Sequence, residues 1–204
     1  VGGFLNILRA AQQNKVSRFL YASSSSVYGD SQTLPKIEDH IGNLLSPYAT
    51  SKRTNELYGK VFYHCYGIQT IGLRYFNVFG PRQDPESTYA AVIPLWMRSN
   101  IKKNPCYING DGLNSRDFCY VDNVVQANLK AALSKNTQAY GETFNIAFGK
   151  RTNLLDLYAL IKEYLGIDEK ANPIHRERRS GDVIHSLANI DKAKNFLGYS
   201  PLYS

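Results

Sequence analysis

The chain has 204 residues and a mass of 23.0 kDa, which fits one domain of ordinary size. Hydrophobic residues make up 43% of it and charged residues 20%, which excludes intrinsic disorder, and no apolar run approaches the roughly 20 residues that cross a bilayer. The cysteines Cys65, Cys106 and Cys119 are scattered without a CxxC pair. This spacing argues against a disulfide framework or a zinc site, and we expect no bound metal.

The net charge of +7 is spread along the chain, and its one tight basic cluster, 175–179, is interrupted by Glu177. No helix-turn-helix, zinc-finger or RNP pattern accompanies it. A diffuse positive field suits small phosphate-bearing ligands equally well. We therefore expect neither a nucleic-acid partner nor a membrane partner. Because the chain opens without a basic leader segment, we expect a cytoplasmic protein.

Short apolar runs alternate with helical patterns, which predicts an α/β fold with a parallel sheet. At Ser46 and Pro47 a capping residue precedes a proline, which predicts a helix start, and Gly67 predicts its end. Beyond Pro81, longer loops are predicted over 82–87 and 104–116. The predicted elements, in chain order, are a helix over 3–14, a strand over 17–23, a helix over 46–66, a strand over 69–75, a helix near 121–134, a strand over 143–148 and a helix near 153–165.

A glycine-rich turn is missing from this pattern. A dinucleotide-binding fold begins with a strand, such a turn and a helix, but no GxGxxG occurs here, and Gly110 and Gly112 lack the third glycine. We therefore expect a partial, Rossmann-type doubly wound sheet followed by a smaller C-terminal lobe, and a sequence that is a piece of a longer protein.

Tyr48 and Lys52 lie four residues apart on the predicted helix, so they share a face. A lysine ammonium beside a phenol favours the phenolate, which makes the tyrosine usable as a base. With 15 tyrosines in the chain, the spacing alone is not specific. A second pair, Tyr158 and Lys162, is interpreted as a solvent-exposed helix face.

The context of the first pair is more informative than its spacing. Upstream, the strand over 17–23 runs into Ser24-Ser25-Ser26-Val27-Tyr28, and sites in open α/β sheets form at the carboxyl ends of strands. The loop by itself is more simply explained as a serine-rich turn. Its combination with a capped helix carrying Tyr-x-x-x-Lys favours an active site.

Four ordered motifs extend this pattern: Ser-Ser-Ser-Ser-Val-Tyr-Gly-Asp (23–30), Ser-Pro-Tyr-Ala-Thr-Ser-Lys (46–52), Leu-Arg-Tyr-Phe-Asn-Val-Phe-Gly (73–80) and Ser-Arg-Asp-Phe-x-Tyr-Val-Asp (115–122). The chain resembles the extended short-chain dehydrogenase/reductases of the NAD-dependent epimerase/dehydratase family, and most closely the bacterial UDP-N-acetylglucosamine 4-epimerases. The resemblance implies bound NAD and a UDP-sugar substrate. It assigns 1–80 to the second half of an NAD-binding domain, with a returning segment near 118–148, and assigns 81–117 and 149–204 to a sugar-nucleotide-binding lobe.

The same resemblance implies the site residues. Tyr48 would be the base for the sugar 4-hydroxyl, Ser24 would hydrogen-bond that hydroxyl, and Lys52 would hold the nicotinamide ribose, with Phe76 beside the nicotinamide. The residues implied to contact the substrate are Ser25, Ser26, Asn77, Ala91, Val92, Tyr107, Asn109, Arg116, Arg179, Asp182 and Ser186. From the residues alone, a solvated basic run explains Arg179 and Asp182 equally well, and an ordinary strand position explains Tyr107 better.

The loop before Tyr28 contains no carboxylate, whereas the related 4,6-dehydratases and decarboxylases carry one there. The resemblance therefore implies 4-epimerisation, in which C4 is oxidised, the keto sugar rotates and C4 is reduced again. A small residue at Ser186 leaves room for a 2-N-acetyl group, while Ile184 stands where a basic residue is expected. Alternatives are a UDP-glucuronate or UDP-glucose 4-epimerase, or a non-catalytic fragment that binds a sugar nucleotide or dimerises. The resemblance also implies a homodimer formed through the helices near 1–14 and 46–66.

Overall fold

The computed structural model describes residues 1–87, 91–167, 172–178 and 184–204. The helices in these ranges are α1 (Gly2–Gln13), α2 (Pro47–Tyr66), α3 (Val92–Ile101), α4 (Val121–Leu133), α5 (Leu154–Leu165) and α6 (Asp191–Leu197). The strands are β1 (Arg18–Ser24), β2 (Gln69–Tyr75), β3 (Val78–Phe79), β4 (Tyr107–Asn109), β5 (Ser115–Asp117), β6 (Cys119–Tyr120), β7 (Glu142–Ile146), β8 (Arg151–Asn153) and β9 (Ile174–Arg176). In these parts of the chain, no helix is both long and apolar enough to cross a membrane.

The main sheet has the order β1-β2-β7, and all of its strands are parallel. The middle strand, β2, is buried from Thr70 to Arg74, as expected of a parallel strand covered on both faces. Ser24 is in register with Tyr75 and Tyr75 with Ile146, so the strands end together at one carboxyl edge. The α/β prediction with a partial Rossmann-type sheet is confirmed.

Helix α2 follows the signals that the sequence carries. Ser46 Oγ accepts a hydrogen bond from the N–H of Ala49 at 3.1 Å, Pro47 occupies the first turn, and Gly67 ends the helix with φ of 72°. These contacts satisfy amide and carbonyl groups that a helix end leaves free. The helix packs against β1 and β2 and reaches the turn that follows β1.

The described residues form two hydrophobic clusters. The larger one is built on the sheet and includes Ile71, Leu73, Phe144 and Ile146. The smaller one joins α3, β4 and α5, and its buried members are Trp96, Cys106, Ile108, Leu157, Tyr158 and Ile161. Residues 188–199 contribute to the larger cluster, although the predicted division assigns them to the lobe; that division stays a prediction.

Two local predictions were wrong. Tyr158 is 5% exposed and packs edge-on against Trp96 at 5.5 Å between ring centroids, so it is a core residue and not part of a solvated face. The segment 104–116 is not only a loop, since it contains β4 and the first residues of β5. In both cases a partner that is remote in the sequence sets the structure.

Candidate active site

Tyr48 and Lys52 lie in the first two turns of α2, at the carboxyl end of β1. The ammonium of Lys52 donates to the main-chain oxygen of Ala22 at 3.0 Å and lies 5.6 Å from the centroid of the Tyr48 ring. Tyr48 is 55% exposed, so its hydroxyl is open to a ligand. The geometry places a lysine charge beside a phenol at the sheet edge; the catalytic roles of both residues remain predictions.

The serine-rich loop forms a 3-10 turn over Ser25–Tyr28, directly after β1. Ser24 caps this turn, because its Oγ accepts from the N–H of Ser26 at 3.2 Å. A hydroxyl can accept and donate at once, so Ser24 retains a proton to donate. The Oγ of Ser26 is buried and has no hydrogen-bond partner among the described residues.

A buried ion pair lies beneath this loop. Arg74 on β2 donates from Nε and Nη2 to the two carboxylate oxygens of Glu56 on α2, at 2.8 and 2.9 Å. Burial disfavours the charged forms, but the hydrogen bonds to Arg74 outweigh it, so the pKa of Glu56 lies below its ordinary value. The pKa of Arg74 is raised, because its hydrogen bonds to Glu56 outweigh the opposing effect of burial. Arg53 adds a third donor to Glu56 at 2.9 Å from the helix surface.

A cavity of about 250 Å³ opens beside the smaller hydrophobic cluster, whose Trp96 and Ile108 line it. It gathers six of the eleven residues predicted to contact the substrate, which are Asn77, Ala91, Val92, Tyr107, Asn109 and Arg116. These residues come from distant parts of the sequence. The cavity thus combines amide groups, a guanidinium and an aromatic ring, the set of groups that suits a nucleotide with a charged diphosphate.

Arg116 and Tyr107 are held in place within this cavity. Nη1 of Arg116 donates to the main-chain oxygens of Ser115 and Ile184 at 3.0 and 3.1 Å. Tyr107 lies on β4, and the guanidinium carbon of Arg176 is 3.2 Å from the centroid of its ring. Tyr107 is therefore a strand residue, as the residues alone favoured, and it also lines the cavity.

Other predicted residues lie elsewhere. Phe76 is 1% exposed, its ring packs against Tyr28 and its N–H donates to the oxygen of Ile146 at 3.0 Å, so the residue is part of the core. Ser186 is buried and does not line the cavity; its N–H donates to the oxygen of Ser115 at 3.0 Å. Arg179 and Asp182 fall outside the described residues.

Sequence reasoning missed two polar residues beside the cavity. Asn114 lines it and is 4% exposed, two positions before Arg116, where strand alternation returns a side chain to the same face. Asp117 is fully buried, and its carboxylate accepts from the N–H groups of Phe148, Gly149 and Ala188. Burial raises the pKa of Asp117 to about 6, and these donors partly offset the rise. The alternation around Arg116 was a usable signal for Asn114.

The residues at the sheet edge fit the nicotinamide side of NAD. Lys52 has three ammonium protons, of which the bond to Ala22 takes one, and the exposed hydroxyl of Tyr48 lies one turn away. These groups can hold ribose hydroxyls, and bound NAD would supply a hydride acceptor and donor. The glycine-rich turn that holds a dinucleotide pyrophosphate has no counterpart in these 204 residues. Among the described residues, no group of three or more His, Cys, Asp or Glu side chains converges as metal ligands.

The parallel sheet and the tyrosine–lysine pair at its carboxyl edge are typical of the Rossmann-type short-chain dehydrogenase fold. The profile of the NAD dependent epimerase/dehydratase family matches residues 1–147, and the chain belongs to that family.

Individual proteins are similar over nearly the whole chain. A Methanocaldococcus jannaschii protein, provisionally named UDP-glucose 4-epimerase, is 39% identical over 98% of this chain and 63% of its own length. The UDP-N-acetylglucosamine 4-epimerase of Methanobrevibacter ruminantium, solved with UDP-N-acetylmuramic acid, superposes with a TM-score of 0.93 at 36% identity, over 99% of this chain and 63% of that one. The UDP-glucuronic acid 4-epimerase of Bacillus cereus, solved with UDP-glucuronic acid and NAD, superposes with a TM-score of 0.88 at 30% identity, over 98% of this chain and 62% of that one. The chain thus spans about three fifths of the length of these relatives.

Proposed function

We propose that the protein to which this chain belongs is an NAD-dependent UDP-sugar 4-epimerase acting on the UDP-N-acetylglucosamine/UDP-N-acetylgalactosamine pair. The observation that carries the proposal is the cavity that gathers Arg116, Asn77 and Asn109 from separate segments. Such a set of fixed donors binds a uridine diphosphate without using the reactive groups at the sheet edge. Those groups are then free for the sugar.

The chain's own residues would perform the proton chemistry. Tyr48 acts as the base that takes the proton of the 4-hydroxyl, and Lys52, bonded to the oxygen of Ala22, orients the ribose of the cofactor. Ser24 donates a hydrogen bond to the same oxygen. NAD, held at the sheet edge by Lys52, would supply the hydride acceptor and donor for C4. Arg116 holds the diphosphate as a fixed guanidinium fork while the sugar turns.

One relative supports an N-acetylated sugar. Ser186, which the resemblance implies to face the 2-substituent, is small, but it is buried outside the cavity lining and adds no support. The M. ruminantium protein, 36% identical, is named a UDP-N-acetylglucosamine 4-epimerase. UDP-glucuronate is the second candidate, because the net charge of +7 and the B. cereus relative both favour an acidic sugar. UDP-glucose is the third, from the name of the M. jannaschii relative.

We also propose a homodimer formed through α1 and α2 and a cytoplasmic location. The two helices pack against each other and present exposed apolar side chains, which are Ile7, Leu57, Val61 and Tyr66, each between 50 and 62% exposed. A cluster of exposed apolar residues on adjacent helices suits a helix-bundle interface. The proposed division places an NAD-binding part in 1–80 with 118–148, and a sugar-nucleotide lobe in 81–117 and 149–204.

The test is a proton NMR time course of the complete protein with NAD and, separately, UDP-N-acetylglucosamine, UDP-glucuronate and UDP-glucose. We expect inversion at C4 in each case that the site accepts, and the largest kcat/KM for the N-acetylated sugar. A larger kcat/KM for UDP-glucuronate or UDP-glucose would replace the proposed substrate. Tight binding of UDP-sugars without any inversion would refute the enzymatic proposal and identify a binding protein.

A further inference from the structure

The serine-rich loop is fixed at both ends to one buried ion pair. At its start, the hydroxyl of Ser23 donates to Glu56 Oε1 at 2.6 Å. At its end, Arg74 Nη1 donates to the hydroxyl of Tyr28 at 3.0 Å. Glu56 and Arg74 are bonded to each other, and all four residues are at most 3% exposed. The segment that carries Ser24, the proposed hydrogen-bond donor to the substrate, therefore has two anchors on one rigid pair.

One member of this ion pair, Glu56, lies on α2, the helix that carries the proposed base. Glu56 follows Lys52 by four residues and Tyr48 by eight, so the three side chains lie along one face of α2. Lys52 contacts Ala22 and Glu56 contacts the next residue, Ser23. Two successive residues of β1 are thus bonded to two successive turns of α2. This double contact sets where the Tyr48 hydroxyl lies relative to the end of β1.

Tyr28 extends the anchoring to the third strand of the sheet. Burial raises the pKa of Tyr28 to about 12, so its hydroxyl is protonated and donates to Asn145 Oδ1 at 2.6 Å. Asn145 lies on β7, and its N–H donates to Glu38 Oε1 at 2.9 Å. The loop end is consequently fixed to β2 and β7 together. None of these groups is exposed enough to contact a substrate.

We propose that Ser23 and Tyr28 are positioning residues, which hold the Ser24 hydroxyl at a fixed place relative to Tyr48 through the Glu56–Arg74 pair. The inference rests on the proposed function. Its physical basis is that a displacement of about 1 Å between reacting groups lowers a rate by up to about a hundredfold. Loss of either anchor leaves the fold and the substrate cavity in place and loosens only the loop.

The variants that test this are Ser23→Ala and Tyr28→Phe. In the first, Glu56 keeps its bonds to Arg74 and Arg53; in the second, Arg74 keeps its bond to the main-chain oxygen of Glu38 at 2.8 Å, so both proteins are expected to fold. In the complete protein with NAD we expect kcat for C4 inversion to fall about ten- to a hundredfold, with KM for the UDP-sugar changed by less than about threefold. Hydrogen exchange of the peptide that contains 24–28 should become faster.

Matched controls remove a buried hydroxyl elsewhere in the same core. Thr70→Val loses a bond to the oxygen of Gly59 at 2.7 Å, and Tyr199→Phe loses one to the oxygen of Ala147 at 2.8 Å. Neither hydroxyl contacts the ion pair, so both controls should keep kcat and loop exchange near wild-type values. Ser23→Thr retains the hydroxyl and should restore both readouts.

The outcomes separate this inference from the proposed function. An active wild-type protein in which Ser23→Ala and Tyr28→Phe behave like the two controls would overturn the positioning role alone. A wild-type protein that inverts no UDP-sugar contradicts the proposed function, and faster loop exchange in the two variants would still support the anchoring. A rise in KM at constant kcat would also overturn the inference, because it would mean that the residues serve binding.

Discussion

Replacement of Arg74 by methionine should destabilise the protein far more than the same replacement of Arg53, although both arginines bind the same carboxylate. The Arg74 side chain is 1% exposed and makes two bonds to Glu56, while that of Arg53 is 32% exposed and makes one. Breaking a buried pair by removing one partner costs about 3–5 kcal/mol, and in Arg74→Met only the partly exposed Arg53 would remain to balance the charge of Glu56. A partly exposed partner is worth about 1 kcal/mol or less.

The assay is urea unfolding followed by far-ultraviolet circular dichroism, with the free energy of unfolding compared among wild type, Arg74→Met and Arg53→Met. The double variant Arg74→Met/Glu56→Leu is a further check, because a buried pair replaced by apolar residues of similar volume loses less stability than a broken pair does. If Arg74→Met and Arg53→Met differed by less than about 1 kcal/mol, burial would not govern the strength of this pair.

Three other predictions concern the cap of α2, the buried carboxyl group of Asp117 and the proposed dimer interface. Ser46→Ala removes the hydroxyl that caps α2 and should lower the free energy of unfolding by about 1 kcal/mol; an unchanged urea midpoint would contradict the cap. Burial raises the pKa of Asp117 to about 6 in the folded chain, whereas an aspartate in the unfolded chain has a pKa of about 3.9. Because the folded chain binds this proton more tightly, the free energy of unfolding should fall as pH rises from about 4 to 6. In urea titrations across this range the fall should become smaller in Asp117→Asn, with the remainder due to Glu38, whose pKa burial also raises. The fall should keep its full size in the exposed control Asp122→Asn. Leu57, which is 50% exposed on α2, lies in the proposed interface, so Leu57→Glu should give monomers in sedimentation velocity. The control Leu133→Glu, on α4, should leave the protein dimeric. A dimeric Leu57→Glu protein would contradict the proposed interface.

The parts of the fold that the sequence predicted are those with local signals. Helix α2 has its cap at Ser46, its proline and its terminal Gly67 within the element itself. The strands of the main sheet are short apolar runs, since a parallel strand is covered on both faces. Helix α3 carries no comparable start signal; the side chain of its N-cap residue, Ala91, makes no capping bond. Helix α3 was therefore not predicted from the sequence.

The site could be predicted only in part, because its contacts are remote in sequence. Tyr158 has the same spacing to a lysine as Tyr48, yet it is buried, because Trp96 on another helix covers it. Glu56 and Arg74 are 18 residues apart, and no periodic pattern joins them. The spacing of Glu56 after Lys52 was a usable signal, but it does not reveal the partner. The cavity-lining residues were found by resemblance to a family, which contains tertiary information that one sequence lacks.

The most direct test of the account is the C4-inversion rate of Tyr48→Phe in the complete protein with NAD. The variant removes the one hydroxyl that is proposed to take the substrate proton, while leaving Lys52 and the cavity intact. Its control is Tyr164→Phe, which removes a hydroxyl that is on α5 and 81% exposed. We predict that Tyr48→Phe loses at least about a hundredfold in kcat while it still retains NAD and binds the UDP-sugar, and that the control is unaffected. A Tyr48→Phe protein that turns over at the wild-type rate would contradict the proposed mechanism.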